Sequence, residues 1–309
     1  MMAMRGATRL ATTVVVLSGG LVAGSTLVWM KGSDDVATDP CPIVVPETVA
    51  SPTIVLIDST GTVDPEVLGV ASQYSADMNG RQTSSHATAM AALVFACAPN
   101  TNLISITTGG DDVQFGADAA ISLRSAIDFD PDVILLGFGT PVDSEGLRAA
   151  VAAAEANDVL VVAPAGNTRA PSAVLGDRQG VPLRYWNEPI YPAAYETVLA
   201  VGALDADELS SADFSQDLPY VDVAAPGTSL FLSGELFAEL ELTGTSYAAP
   251  QVAAVAAIAR WLAPDLSSEE VRRLVVATAR PLDQRDTAAV AGFVQPLGLL
   301  DSLASDGKP

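Results

Sequence analysis

The sequence predicts an α/β fold of three layers, with a mostly parallel central sheet and helices on both of its faces. Three observations predict it. Short β-branched apolar runs alternate with single helical patterns, the signature of βαβ units. The runs are continuous rather than alternating, as in strands buried on both faces. The 309 residues are 49% hydrophobic and 17% charged, with 24 Gly and 20 Pro scattered along the chain; this is a globular composition, with ample length for a sizeable core.

The elements follow in order. Arg5 and Arg9 precede an uncharged stretch from Leu10 to Met30, which ends at Lys31, Asp34 and Asp35. Basic residues ahead of an apolar run predict export, with the N-terminus left in the cytoplasm. Residues 1–31 have two readings. As a membrane anchor, the run matches the ~20 residues a spanning helix needs. As a signal peptide, it would be cleaved near Val22-Ala23-Gly24, which resembles a small-residue cleavage site, and Gly19, Gly20 and Gly24 weaken the run as a spanning helix. Residues 32–51 read as a linker, 52–304 as the folded domain and 305–309 as a tail. Within the domain a strand is expected over 53–57, helices over 66–78 and 85–98, and a strand over 103–107. A helix over 116–127, a strand over 133–136, an Ala-rich helix over 144–157 and a strand over 159–163 come next. From 198 to 242 the strands are short and turn-separated. Two helices, 248–262 and 268–278, close the domain.

Charge and rare residues narrow the function. The formal net charge is −22, which repels phosphate backbones and excludes nucleic acid as a partner. His86 is the only histidine, so a multi-histidine metal site is excluded. Cys41 and Cys97 are the only cysteines, too few for a zinc cluster or a dense disulfide scaffold. Outside the cytoplasm they would pair and tie the lead-in to the helix holding Cys97; the other reading is two unpaired buried thiols.

An open parallel sheet places its ligands at the carboxyl ends of its strands. The residues there are Asp58-Ser59-Thr60-Gly61, Gly137-Phe138-Gly139-Thr140 and Ala163-Pro164-Ala165-Gly166-Asn167. Each polar residue alone has an ordinary structural explanation. Asp58 and Asn167 suit turns, His86 sits at the start of a helix, and Ser246 could cap the helix that follows it. Together they supply a reaction. A serine hydroxyl needs an imidazole to take its proton, and the imidazole needs a carboxylate to fix its tautomer. The carbonyl under attack needs donors for its developing charge, which the Asn167 amide and the Ser246 backbone N–H would provide.

Ile57-Asp58-Ser59, His86-Ala87-Thr88-Ala89-Met90-Ala91, Ala165-Gly166-Asn167 and Gly244-Thr245-Ser246-Tyr247-Ala248-Ala249-Pro250 resemble the four signature blocks of subtilisin-like serine proteases. The likeness runs over 53–303, through Tyr191-Pro192-Ala193-Ala194-Tyr195 and Val221-Asp222-Val223-Ala224-Ala225-Pro226-Gly227. It implies the three-layer subtilisin-like fold and an exported serine endopeptidase. Ser246 would be the nucleophile, His86 the general base and then acid, Asp58 its orienting partner and Asn167 the oxyanion donor. Gly137, Phe138 and Gly139 would pair with the substrate backbone as an added strand, which suits a protein or peptide substrate. Ala163, Ala165 and Gly166 would wall the pocket for the side chain before the scissile bond. That pocket reads as apolar and open, implying cleavage after apolar residues. No cofactor is expected, and calcium rests on the family likeness alone, with no metal ligand assigned. A monomer is expected, with a membrane as partner only through the N-terminal run.

The chain departs from the family pattern at three points. Ala87 stands where the family has Gly, Thr60 intervenes before Gly61, and the segment 32–51 is shorter than the family's folding-assisting propeptide. These departures support an alternative, a catalytically inactive subtilase fold that binds peptides or an envelope partner. A nucleotide-binding α/β protein is disfavoured, because no glycine-rich phosphate loop follows the first strand.

Overall fold

The computed structural model describes residues 27–31, 37–38, 52–59, 63–64, 75–76, 84–108, 115–167, 188–205, 210–234, 237–282 and 292–305. Strands β1 (Leu27–Lys31) and β2 (Ala37–Thr38) come first. The alternating part follows as β3 (Thr53–Asp58), β4 (Ser75–Ala76), α1 (Ser85–Cys97), β5 (Asn102–Thr107), α2 (Phe115–Ile127), β6 (Val133–Leu136), α3 (Glu145–Ala156) and β7 (Leu160–Pro164). Strands β8 (Leu199–Leu204), β9 (Val223–Pro226), β10 (Leu230–Gly234) and β11 (Phe237–Leu242) lead to α4 (Thr245–Leu262), α5 (Ser268–Ala277) and α6 (Pro296–Ser305).

The central sheet has seven strands in the order β4-β5-β3-β6-β7-β8-β9, and every neighbouring pair is parallel. Apolar side chains leave both of its faces, which is why the strands read as unbroken runs. Ile54, Leu56, Leu135, Val162 and Val201 pack with α1 and α4 on one face. Val55, Ile57, Ile106, Ile134 and Val161 pack with α2 and α3 on the other. The three layers expected from the alternation are therefore present.

Strand order positions the site. From β3 the chain passes to β4 and β5 on one side and then crosses to β6 on the other. The carboxyl end of β3 thus lies at the topological switch point, where open α/β sheets leave a crevice. Asp58 is its last residue.

Several elements differ from expectation. Ser75–Ala76, inside the stretch 66–78 expected to be helical, form β4 and pair in parallel with β5. A two-residue strand is too short to carry a hydrophobic period, and the rest of that stretch lies outside the described residues. Leu27–Lys31, the end of the apolar run, is an antiparallel partner of β10 and of β2. It is a glycine-free piece whose Val28 and Trp29 favour strand. With β10 and β11 these strands make a second, four-stranded sheet, so β2 falls inside the stretch read as linker. Residues 1–26 lie outside the described residues. No helix among the described residues is long and apolar enough to cross a membrane. Helix α4 begins at Thr245 rather than at 248, and α6 adds a third closing helix.

Candidate active site

Helix α1 carries His86 in its first turn, fixed by the cap that precedes it. The Ser84 hydroxyl accepts from the backbone N–H of His86 at 3.1 Å and of Ala87 at 3.4 Å. These are two of the N–H groups that a helix start leaves without a partner. The Ala87 methyl is fully buried in the core under α1, so the residue that replaces the family's glycine is packed away.

Asp58 is fully buried, and its Oδ2 accepts from His86 Nδ1 at 2.6 Å. Its backbone carbonyl accepts from the Thr108 N–H at 2.9 Å and the Thr107 hydroxyl at 3.3 Å. Thus β5 holds the end of β3 in place. Gly137 is required beside it, since a Cβ built there would collide with Asp58 Oδ2. The Tyr247 ring packs against the imidazole with centroids 5.4 Å apart. Burial first, and then the nearby Asp58 charge, push the Tyr247 phenol up to about 12.

Asn167 follows β7 and meets the start of α4. Its Oδ1 accepts from the Thr245 backbone N–H at 2.9 Å and from the Thr245 hydroxyl at 2.8 Å. Because a backbone N–H only donates, the amide oxygen must face Thr245 and the NH2 must face away from it. The Thr245 hydroxyl also accepts from the Gly166 N–H at 3.3 Å. Gly244, with φ of 150°, caps α4, and its N–H donates to the Gly227 carbonyl at 2.9 Å. That bond closes the base of the β10–β11 hairpin and delivers Thr245 to Asn167. Ser246 is half-buried in the first turn of α4, inside the helix rather than at its cap.

The expected substrate-binding residues divide by atom. Phe138 is buried in the core below the sheet, and Ala163 and Ala165 are fully buried. Their side chains therefore do not line a pocket. What these segments present is backbone, at Gly139 on one side and Gly166, with φ of 110°, on the other. The space between those glycines is apolar but not open. A Cβ built on Gly139 would collide with Ile190 Cγ2, and one on Gly166 would fall 2.6 Å from Ile190 Cγ1.

Cys97, the last residue of α1, is buried and disulfide-bonded; Cys41 lies outside the described residues. Among the described residues no group of three or more His, Cys, Asp or Glu is placed to hold a metal ion. Sequence reasoning passed over Ser84, Thr245, Tyr247 and Ile190. Thr245 and Tyr247 flank Ser246, and Ile190 directly precedes Tyr191-Pro192, so proximity to the signature blocks was the available signal. Ser84 was legible as a helix cap.

Comparisons with known proteins agree with this architecture. The sequence model of the subtilase family matches residues 68–298, a span that takes in His86, Asn167 and Ser246 and begins after Asp58. The chain is 34% identical to Subtilisin DY of Bacillus licheniformis over 230 residues, covering 71% of this chain and 79% of that protein. It is 33% identical to the Major intracellular serine protease of Bacillus subtilis (strain 168) over 205 residues, 64% of this chain and 60% of that one. Among solved structures, the MycP3 protease from the type VII (ESX-3) secretion system superposes with a TM-score of 0.63 at 25% identity, covering 90% of this chain and 94% of its own. The prenylagaramide maturation protease PagA gives 0.65 at 22% identity, covering 82% of this chain and 93% of its own. With the parallel sheet, the buried Asp58 beside the only histidine and this breadth of match, the chain belongs to the subtilase family and is a serine-type endopeptidase acting on protein or peptide substrates.

Proposed function

We propose that this protein is an exported endopeptidase that hydrolyses peptide bonds through an acyl-enzyme on Ser246. The observation that carries the reading is the 2.6 Å contact between His86 Nδ1 and the fully buried Asp58 carboxylate at the switch point. With Nδ1–H given to Asp58, the imidazole keeps Nε2 as its acceptor. Nε2 takes the Ser246 proton as Oγ attacks the scissile carbonyl, and Asp58 stabilises the resulting imidazolium. The Asn167 NH2 and the Ser246 backbone N–H stabilise the oxyanion, aided by the positive end of α4. His86 then protonates the leaving amine. A water deprotonated by His86 attacks the acyl ester, releasing the new carboxylate and restoring Ser246.

The exposed backbone at Gly139 supports pairing with an extended substrate. The basic-then-apolar N-terminal run supports export, and the disulfide at Cys97 suits an oxidising compartment. Cys41 is the partner that the cysteine count proposes.

The test is covalent labelling of the full chain by a fluorophosphonate probe, with Ser246→Ala as control and circular dichroism to verify folding. Wild type is expected to label and the variant not to. A folded wild type that stays unlabelled, or a variant that labels equally, overturns the reading.

A further inference from the structure

We propose that Ile190 sets the substrate preference by filling the pocket for the side chain that precedes the scissile bond, so that only glycine, alanine or residues of similar size fit there. The inference rests on the catalytic reading above, which places the substrate backbone along 137–139 and its carbonyl at Asn167. The side chain just before the bond must then enter between the Gly139 and Gly166 walls.

Ile190 already spans that gap. One branch, Cγ2, lies against Gly139, and the other, Cγ1, against Gly166, each so close that a single added carbon on either glycine would collide. The space between the walls is one isoleucine wide, and Ile190 is only 6% exposed.

Neighbouring bonds keep it there. Tyr191 N–H donates to the Thr140 carbonyl at 2.7 Å and Thr140 N–H to the Tyr191 carbonyl at 2.8 Å. The residue after Ile190 is thereby stitched to the residue after Gly139. On the other side the Ile190 N–H donates to the Tyr220 hydroxyl at 3.3 Å, which itself donates to the Ala165 carbonyl at 2.7 Å. Gln216, fully buried, donates its amide to the Glu188 carbonyl at 3.1 Å and its backbone N–H to the Gly166 carbonyl at 3.1 Å. The segment carrying Ile190 is thus bonded to both walls, and a β-branched side chain has little χ1 freedom of its own. A substrate atom beyond Cβ would have to displace packed methyl groups, and overpacking of this kind is costly.

The experiment measures kcat/KM on succinyl-Ala-Ala-Pro-Xaa p-nitroanilides with Xaa as Ala, Leu or Phe. Wild type is expected to favour Ala over Phe by about ten-fold or more, since one methylene group is worth roughly 10–200-fold in such a pocket. Ile190→Gly should shift the Ala-to-Phe ratio towards Phe by at least that factor. Ile190→Ala, a smaller perturbation of folding, should shift it part of the way. The ratio is insensitive to how much of a variant is folded. A wild type that takes Phe as well as Ala, or variants that leave the ratio unchanged, overturns the proposal. A second arm does not need catalysis: calorimetry on Ser246→Ala with acetyl-Ala-Ala-Pro-Ala and acetyl-Ala-Ala-Pro-Phe carrying free carboxylates. Tighter binding of the Ala-ended peptide, lost in Ser246→Ala/Ile190→Gly, is expected. Equal affinity, or binding of neither peptide, overturns the proposal. Absence of turnover and of fluorophosphonate labelling would overturn the catalytic reading separately.

Discussion

Thr245 makes three bonds around Asn167. It donates twice to Oδ1, and its hydroxyl accepts from Gly166. In the proposed mechanism it would be a positioning residue: it turns the Asn167 amide oxygen towards itself, so that the NH2 would be left for the developing oxyanion, and it would touch no reacting atom itself. Thr245→Val keeps the shape and the backbone bond but removes the hydroxyl's donor and acceptor. In steady-state kinetics kcat should fall with KM nearly unchanged, by less than the ~10²–10³-fold that loss of an oxyanion donor costs. Thr245→Ser should restore it. A rise in KM at unchanged kcat would assign Thr245 to ground-state binding instead. At this scale Asp58, His86, Asn167 and Ser246 could be singled out from the sequence as candidates because hydroxyl, imidazole, carboxylate and amide are distinct chemical types. Thr245 and Ile190 were not, because a hydroxyl or an aliphatic side chain has no chemistry that marks it until its neighbours are known.

Helix α1 links stability to the site. Its body is buried and carries no acidic residue in its first turn, so the Ser84 hydroxyl is the cap that holds the backbone at His86. Ser84→Ala should cost about 1 kcal/mol of stability, read as a lower urea midpoint at unchanged slope. Because the lost bonds start at His86, kcat should fall as well, and a variant with wild-type stability and kcat would contradict this role. Most elements were predicted within a residue or two, as the unbroken apolar runs of β3, β6 and β7 show. The exceptions have physical causes. β4 is too short to show a period, and β1 and β2 owe their strand state to pairing with β10 and with each other. The early start of α4 depends on Gly244 being drawn to Gly227 across the hairpin.

Across the whole molecule, charges tie distant segments together. Asp158, in the turn after α3, accepts from the Ser268 N–H at 2.6 Å and pairs with Arg260 at 3.3 Å. Burial alone would raise its carboxyl, but the Ser268 bonds and the Arg260 charge outweigh burial and hold it below the usual 3.8. A carboxyl lowered on folding stabilises the fold above its unfolded value, and that contribution is lost as the pH falls through the lowered one. Asp158→Asn, which tolerates the φ of 57° there, should therefore be less stable than wild type at neutral pH. In urea unfolding at a series of pH values the gap should close on acidification below 3.8; a gap independent of pH would sink the assignment. Asp222 runs the other way. Burial outweighs Arg272 and the Ala200 N–H and raises its carboxyl, so its ionisation costs stability as the pH rises through the raised value.

The sequence by itself determined the alternation of strands and helices, the chemical types at the strand ends and the family, because these are properties of residue identity and short-range spacing. Only the tertiary structure decided which residues meet. Strand order put Asp58 at the switch point, the hairpin brought Thr245 to Asn167, and the fold set Ile190 between Gly139 and Gly166. The width of a pocket is a distance between segments far apart in the chain, fixed by packing and register, and no local pattern encodes it.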